Sequence, residues 1–254
     1  MQDIINLKGM KGGRILYLVP GVGLPPEELE RRRQILNSFT STGFIVDVEA
    51  VKEGPASIES YCDEYLCIPD TLRHAINAEK RGYDAIIIGC FGDPGIEAVR
   101  EALRIPVIGP GETSFHIAAM LGYQFSVISI LKNIVNPLKV LAKKLGLKEQ
   151  LMSIRVINKP VLSLAENIEE TKRALIIEGR KAVEEDDADT LILGCMSEAF
   201  LGFAEHMKEE LGVPVVNPVG VSVKMAELML MNRLSHSKKA YPFPPKTIYI
   251  KTSK

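Results

Sequence analysis

The sequence predicts an α/β protein made of two similar halves, each a mainly parallel sheet flanked by helices. Short apolar runs alternate with amphipathic segments along the chain, which is the pattern of strand-helix units in a parallel sheet. Residues 84–90 and 189–195 match position by position in residue type, with Asp, Gly and Cys in register. Each copy is followed by a short apolar segment with Pro at its entry, at residues 104–110 and 212–218. We therefore infer a duplicated strand-turn-helix unit.

The composition is that of an ordinary globular protein, and it argues against nucleic-acid and membrane partners. Hydrophobic residues make up 46% and charged residues 25% of the 254 positions, which is typical of water-soluble domains. The formal net charge is −1, so no electrostatic attraction to nucleic acid or to an anionic membrane is expected. Residues 1–6 lack the basic start and the long apolar run of a secretory signal. We expect a cytoplasmic protein whose partner is a small molecule.

The first half is predicted to alternate strictly between strands and helices. Apolar, β-branched runs predict three strands, at residues 13–20, 44–48 and 85–88. Segments with helical spacing of apolar residues predict three helices, at residues 27–40, from about Ser60 to Gly82, and at 96–103. Gly82 is a natural helix terminator, and Pro94 is expected near the start of the third helix. Cys90 is therefore expected where a strand ends and a helix begins.

The second half repeats this alternation, and the chain is expected to end back on the first half. Strands are predicted at residues 124–130, 154–157 and 190–193. Helices are predicted at residues 112–121, 136–145 and 168–185, after Cys195, and at 219–234. The last helix and the basic, proline-containing tail should return to the first half. The predicted domains are residues 1–110 together with 220–254, and residues 111–219.

The strongest functional signal is the pair of cysteines at matched strand ends. A single buried cysteine is usually a small hydrophobe, but a duplicated one at the ligand-binding edge of each sheet is harder to explain by packing. A helix N-terminus near each thiol would favour its ionised form. If the halves face each other, Cys90 and Cys195 lie on opposite sides of one crevice. One could remove a proton from a bound carbon acid while the other returns a proton to the opposite face.

The other candidate motifs are weaker. Cys62 and Cys67 are five residues apart on a predicted helix, which suits neither a metal nor one shared helix face, so a structural role is expected. Residues 21–26 only superficially resemble a dinucleotide fingerprint, because Pro26 stands where the third glycine would be. No Cys-x-x-Cys pair indicates a metal. Glu198, three residues after Cys195, could equally be a surface residue or part of a polar pocket.

Several of these motifs resemble the aspartate/glutamate/hydantoin racemase superfamily. The resembling segments are residues 89–95, 106–109, Glu112 and 121–128, while residues 54–60 with the nearby Asp63 and Glu64 resemble the hydantoin/allantoin racemase branch. The resemblance implies two α/β domains with the site between them, cofactor-independent racemisation and a homo-oligomer. By position it implies Cys90 and Cys195 as the paired acid/base residues. The expected substrate-binding residues are Gly21, Ile58, Phe91, Gly92, Ser129, Ile130, Met196, Ser197 and Glu198.

The combined expectation is a cofactor-independent racemase or epimerase that inverts a carbon next to a carbonyl, acting on 5-substituted hydantoins or related ureides. Residues 19–22 and 196–198 depart from the usual family sequence. A carboxylate at Glu198 would repel a substrate carboxylate, so neutral cyclic ureides are expected to be preferred over free aspartate or glutamate. Two alternatives stay open: an amino-acid racemase or maleate-type isomerase of the same superfamily, and a two-lobed binding protein without chemistry.

Overall fold

The computed structural model describes residues 12–246, and they form two four-stranded sheets with helices around them. The elements of the first half are β1 Gly13–Val19, α1 Pro26–Ser38, β2 Phe44–Ala50, α2 Tyr61–Lys80, β3 Ala85–Ile88, α3 Ile96–Ala102, β4 Val107–Ile108 and α4 Pro110–Leu121. The elements of the second half are β5 Phe125–Ser129, α5 Val135–Lys144, β6 Leu151–Val156, α6 Ile168–Glu184, β7 Thr190–Leu193, α7 Met196–Ala199, α8 Ala204–Leu211, β8 Val215–Val216 and α9 Pro218–Met231.

The two sheets have the same topology. The first has the strand order β2-β1-β3-β4 and the second β6-β5-β7-β8, and all their pairings are parallel. The central strands β1, β3, β5 and β7 consist almost entirely of buried apolar residues, because helices cover both faces of each sheet. The predicted fold class of two similar parallel α/β units is confirmed.

The repeated aspartates explain part of the duplicated sequence pattern. The carboxylate of Asp84 accepts the backbone N–H of Arg14 at the start of β1, at 2.8 Å. The carboxylate of Asp189 accepts the backbone N–H of Tyr123 just before β5, also at 2.8 Å. Each aspartate thus ties the start of the cysteine-bearing strand to its central neighbour, so both halves need an acceptor at this position.

The repeated glycines before the two cysteines are required by close packing. A Cβ on Gly89 would lie 2.7 Å from the ring of Tyr17. A Cβ on Gly194 would lie 2.7 Å from Cβ of Ser129 and closer still to Val127. These approaches are too close for carbon atoms, so a side chain at either position would displace the strand end that carries the thiol.

The last helix of each half packs on the opposite half. Helix α9 contacts β1, β3 and β4 of the first sheet, while α4 contacts β7 and β8 of the second. The following tail also lies on the first half, where the His236 ring accepts the backbone N–H of Val107 at 2.8 Å and Lys238 donates to the carbonyl of Arg100 at 2.6 Å. These contacts favour the division into residues 1–110 with 220–254 and residues 111–219, which stays a prediction.

Two elements differ from the sequence-based expectation. Strand β6 begins at Leu151 rather than at residue 154. The segment after Cys195 forms two helices rather than one. The helical conformation is interrupted between α7 and α8 at Gly202, which has a φ of +80°. The segments 1–6 and 247–254, on which other expectations rested, lie outside the described residues. No helix between residues 12 and 246 is long and apolar enough to span a membrane.

Candidate active site

Cys90 lies at the carboxyl end of β3 in a tight turn. Its backbone N–H donates to the Ile88 carbonyl at 2.8 Å, and the Asp93 N–H donates to the Cys90 carbonyl at 3.2 Å. Asp93 and Gly95 both have positive φ, which turns the chain sharply before α3 begins at Ile96. The turn 91–95 therefore separates Cys90 from the helix along the chain, and a helix N-terminus next to its thiol stays a prediction. The Gly92 N–H lies beside the thiol.

Cys195 occupies the equivalent position at the end of β7, and here the helix follows at once. It is the N-cap residue of α7, so the backbone N–H groups of Ser197 and Glu198 lie beside its sulfur. The preceding strand end is fixed by the Ser129 hydroxyl, which donates to the Gly194 carbonyl at 2.8 Å. Cys195 is 9% exposed, whereas Cys90 is partly exposed.

The pKa values of Cys90, Cys195 and Tyr17 are all raised above their usual values. Burial raises the pKa of Cys90 well above its usual value, with further increases from Cys67, Glu64 and Cys195. Burial and then Glu198 raise the pKa of Cys195 to about 12. The pKa of Tyr17 is raised mainly by burial and also by both thiols. Because interactions between charges weaken with distance, these mutual effects indicate that Cys90, Cys195 and Tyr17 lie near one another.

A small cavity lies between the two halves next to these strand ends. Its volume is about 50 Å³, and its wall includes Gly21, Arg32, Ile58, Gly89, Leu162 and Ser197. The first four belong to the first half and the last two to the second half. Small-molecule sites usually enclose about 300–1,000 Å³, so this cavity is smaller than a typical ligand site.

The expected substrate-binding residues are distributed unevenly around this cavity. Gly21, Ile58 and Ser197 line its wall. Phe91 and Ile130 lie in the apolar cluster that also contains Cys195, and Met196 is buried in a neighbouring cluster. Ser129 is fully buried and acts on the Gly194 carbonyl as described. Gly92 lies against the carboxylate of Glu64.

Glu198 is a buried acid rather than a surface residue. It has no exposed surface, and neither carboxyl oxygen has a hydrogen-bond partner among residues 12–246. Burial raises the pKa of Glu198 well above its usual value, because it disfavours the ionised form. The expected repulsion of a substrate carboxylate depends on that ionised form, and it stays a prediction.

Arg32 of α1 is a charged residue of the site that the sequence pattern did not reveal. It is 3% exposed, and its Nε donates to Glu28 at 2.8 Å. Its Nη2 donates to the Ser197 hydroxyl at 2.8 Å, and its guanidinium lies 4.6 Å from the ring centre of Phe200. Arg32 thus joins the first half to the segment that follows Cys195. In the sequence it is the middle one of three consecutive arginines.

Glu64 of α2, one of the residues that carry the family resemblance, lies near the other cysteine. Its carboxylate Oε1 lies 2.7 Å from the point where a Cβ on Gly92 would be, and the Cys90 sulfur lies 4.0 Å from the same point. Burial and the neighbouring Asp63 raise the pKa of Glu64 to about 7. The buried Cys67 donates its S–H to the Glu64 carbonyl at 3.1 Å, whereas Cys62 is exposed.

The fold and the matched strand ends define a class of two-lobed α/β proteins that hold one site between similar halves. Comparison with known proteins names the family. The model for the Asp/Glu/Hydantoin racemase family matches residues 33–226, and the chain belongs to this family. The predicted superfamily and the assignment to the isomerases are thereby confirmed.

Individual relatives agree with this assignment. The chain is 40% identical over 200 residues to a hydantoin racemase of Pseudomonas sp. (strain NS671), covering 78% of this chain and 80% of that protein. It is 34% identical over 212 residues to a hydantoin racemase of Paenarthrobacter aurescens, covering 83% and 89%. The solved structure of allantoin racemase from Klebsiella pneumoniae superposes with a TM-score of 0.86 at 28% identity, covering 94% and 97%.

Proposed function

We propose that this protein is a cofactor-independent racemase that inverts the carbon next to a carbonyl in 5-substituted hydantoins or related cyclic ureides. Cys90 and Cys195 form its acid/base pair. The observation that carries the proposal is the matched environment of the two cysteines: each follows the end of a buried parallel strand and a glycine that tolerates no side chain. Packing alone does not require a thiol at both positions.

The proposed reaction is a proton transfer on each face of one carbon. A thiolate on one side removes the proton, the resulting negative charge spreads onto the neighbouring carbonyl oxygen, and the thiol on the other side protonates the carbon from the opposite face. The sulfurs exchange their protonation states in each turnover. Backbone N–H groups near the strand ends and the Arg32 guanidinium can stabilise the enolate-like oxygen.

The raised pKa values of both thiols have a consequence for the order of events. Burial in the closed, dry cleft keeps both sulfurs protonated. We infer that the thiolate forms while the cleft is open to water, and that closure around the substrate then makes this thiolate a stronger base. Substrate entry and activation of the base are thus one event, the opening and closing of the two halves.

The choice of cyclic ureides rests on the relatives. Proteins named hydantoin racemase and allantoin racemase both act, by name, on cyclic ureides. An amino-acid racemase remains the second candidate, because Arg32 places a positive charge at the cavity wall that could accept a carboxylate. The homo-oligomer and the cytoplasmic location stay predictions.

A substrate panel tests this proposal. The rates of racemisation of a 5-benzylhydantoin, allantoin, aspartate and glutamate are measured by circular dichroism, together with isomerisation of maleate. We expect kcat/KM to be highest for a cyclic ureide. Faster turnover of glutamate or maleate would refute the substrate assignment, and tight ligand binding without any turnover would favour a binding protein.

Variants of the cysteines test the mechanism on the best substrate of that panel. Cys90→Ala and Cys195→Ala should each abolish racemisation of both enantiomers. Cys62→Ala is the matched control, because this thiol lies on the surface of α2, and its rate should be unchanged. Racemisation that persists at the wild-type rate in either of the first two variants would exclude the two-base scheme.

A further inference from the structure

The groups around the two thiols differ in charge although the strands that carry them match. On the Cys195 side lies Arg32, whose Nη2 donates to the hydroxyl of Ser197, two residues after the cysteine. Arg31 and Arg32 share a single carboxylate, that of Glu28. The three side chains together therefore carry one net positive charge, and Arg32 is shielded from water.

The remaining groups that face Cys195 do not cancel this charge. Glu198 is completely buried without a hydrogen-bond partner among residues 12–246, and this burial favours its neutral form. Tyr17 is a fully buried, neutral phenol. The backbone N–H groups of Ser197 and Glu198 add two partial positive charges next to the sulfur. Arg32 and these N–H groups therefore favour a thiolate at Cys195, whereas Glu198 opposes it when ionised.

The charged side chains near Cys90 are acidic rather than basic. The Glu64 carboxylate lies against Gly92. Its Oε1 and the Cys90 sulfur lie 2.7 Å and 4.0 Å from the position that a Cβ on Gly92 would occupy, so the two groups are close to each other. The carboxylate of Asp63, which precedes it, accepts the Ser60 hydroxyl at 2.7 Å and the backbone N–H of Glu59 at 3.0 Å. Cys67 is the other ionisable group on this side, and a single N–H, that of Gly92, opposes the effect.

We propose that this charge asymmetry makes Cys195 the thiol that ionises first and Cys90 the thiol that keeps its proton in the resting enzyme. Arg32 and Glu64 are positioning residues that set this order. The catalytic meaning of the order rests on the proposed function, but the order itself is a property of the free protein. In the proposed reaction, the thiol that ionises first removes the proton from the substrate. The order therefore determines which face of the substrate can lose its proton before any proton has moved from one sulfur to the other.

Alkylation of the free enzyme tests the order without any turnover. The protein is treated with iodoacetamide over a range of pH, and the modification of each cysteine is followed by mass spectrometry, with the exposed Cys62 as internal reference. We expect Cys195 to be modified at lower pH than Cys90, although it is the less exposed of the two. Faster modification of Cys90 at every pH would overturn the proposal.

Variants with altered charge test whether Arg32 and Glu64 cause this order of ionisation. Arg32→Met should slow modification of Cys195 about tenfold at a fixed pH, as expected for loss of one nearby opposite charge, and Arg32→Lys should restore most of the rate. Glu64→Gln should accelerate modification of Cys90 and leave Cys195 unchanged. Arg33→Met is the matched control, because Arg33 is on the same helix but pairs only with Glu30 at the surface. Equal effects of Arg32→Met and Arg33→Met would refute the role of Arg32.

The outcomes separate this proposal from the proposed function. If the modification order and its charge dependence hold but no ureide is racemised, the asymmetry stands and the assignment of the reaction fails. If racemisation is found but the order is reversed, the reaction stands and the asymmetry fails. Should Arg32→Met not fold, Glu64→Gln still decides, because it removes the negative charge on the Cys90 side.

Discussion

Replacing Glu64 by Gln should stabilise the protein at alkaline pH while leaving its stability in acid almost unchanged. The folded-state pKa of about 7 lies above the ordinary value of 4.5, because burial and Asp63 disfavour the ionised form. The folded protein therefore binds more protons than the unfolded chain between these two values, and its stability falls as the pH rises through this interval. Gln carries no charge at any pH and escapes this loss.

The size of the effect follows from the same two values. At 1.36 kcal/mol per pKa unit, the difference corresponds to about 3 kcal/mol of unfolding free energy that the wild type loses on ionising Glu64. Partial exposure of Glu64 makes this an upper value. The variant should thus gain about 1–3 kcal/mol over the wild type near pH 8.5 and almost nothing below pH 4.5.

Urea unfolding measured at about pH 4.5 and about pH 8.5 provides the assay. Glu209→Gln is the matched control, since Glu209 is exposed on α8, and its effect should stay within about 0.5 kcal/mol at both pH values. A Glu64→Gln variant whose advantage is the same in acid and alkali would refute the reasoning, because the effect would then not arise from ionisation.

Two further predictions concern the duplicated strand ends. Gly194→Ala should lower the unfolding free energy by about 1–3 kcal/mol, since its Cβ would overlap Ser129 and Val127; a urea midpoint equal to that of the wild type would contradict the packing argument. Asp189→Asn should cost about 1–3 kcal/mol in the same assay, since it weakens the charged acceptor for the Tyr123 N–H; hydrogen exchange that leaves this N–H fully protected would show that the contact does not depend on the charge.

The fold was largely predictable because its signals are local. A buried parallel strand appears in the sequence as a continuous apolar run, and the aspartate before it and the glycine after it mark both ends. β6 was located only in part because it lies at the sheet edge, where Ser153 and Arg155 alternate with apolar residues. The break after α7 was missed because the positive φ of Gly202 is not visible in helical periodicity.

The residues of the candidate site also differ in whether a local sequence pattern reveals them. Both cysteines were found because they are part of the repeated strand end. Arg32 was missed because its burial depends on Phe200 and Ser197, which come from the other half of the chain. The burial of Glu198 could not be read from its neighbours either, because only the packing of α7 against the core decides it.

Deuterium exchange with single enantiomers tests the two-base account most directly. Cys90→Ala and Cys195→Ala are each incubated in D₂O with the separate enantiomers of a 5-substituted hydantoin, and loss of the proton at the stereocentre is followed by NMR against the non-enzymatic rate. Each variant retains one base on one side of the cleft. We expect each to exchange the proton of one enantiomer only, with opposite preferences and without racemisation. Exchange of the same enantiomer by both variants would contradict the account.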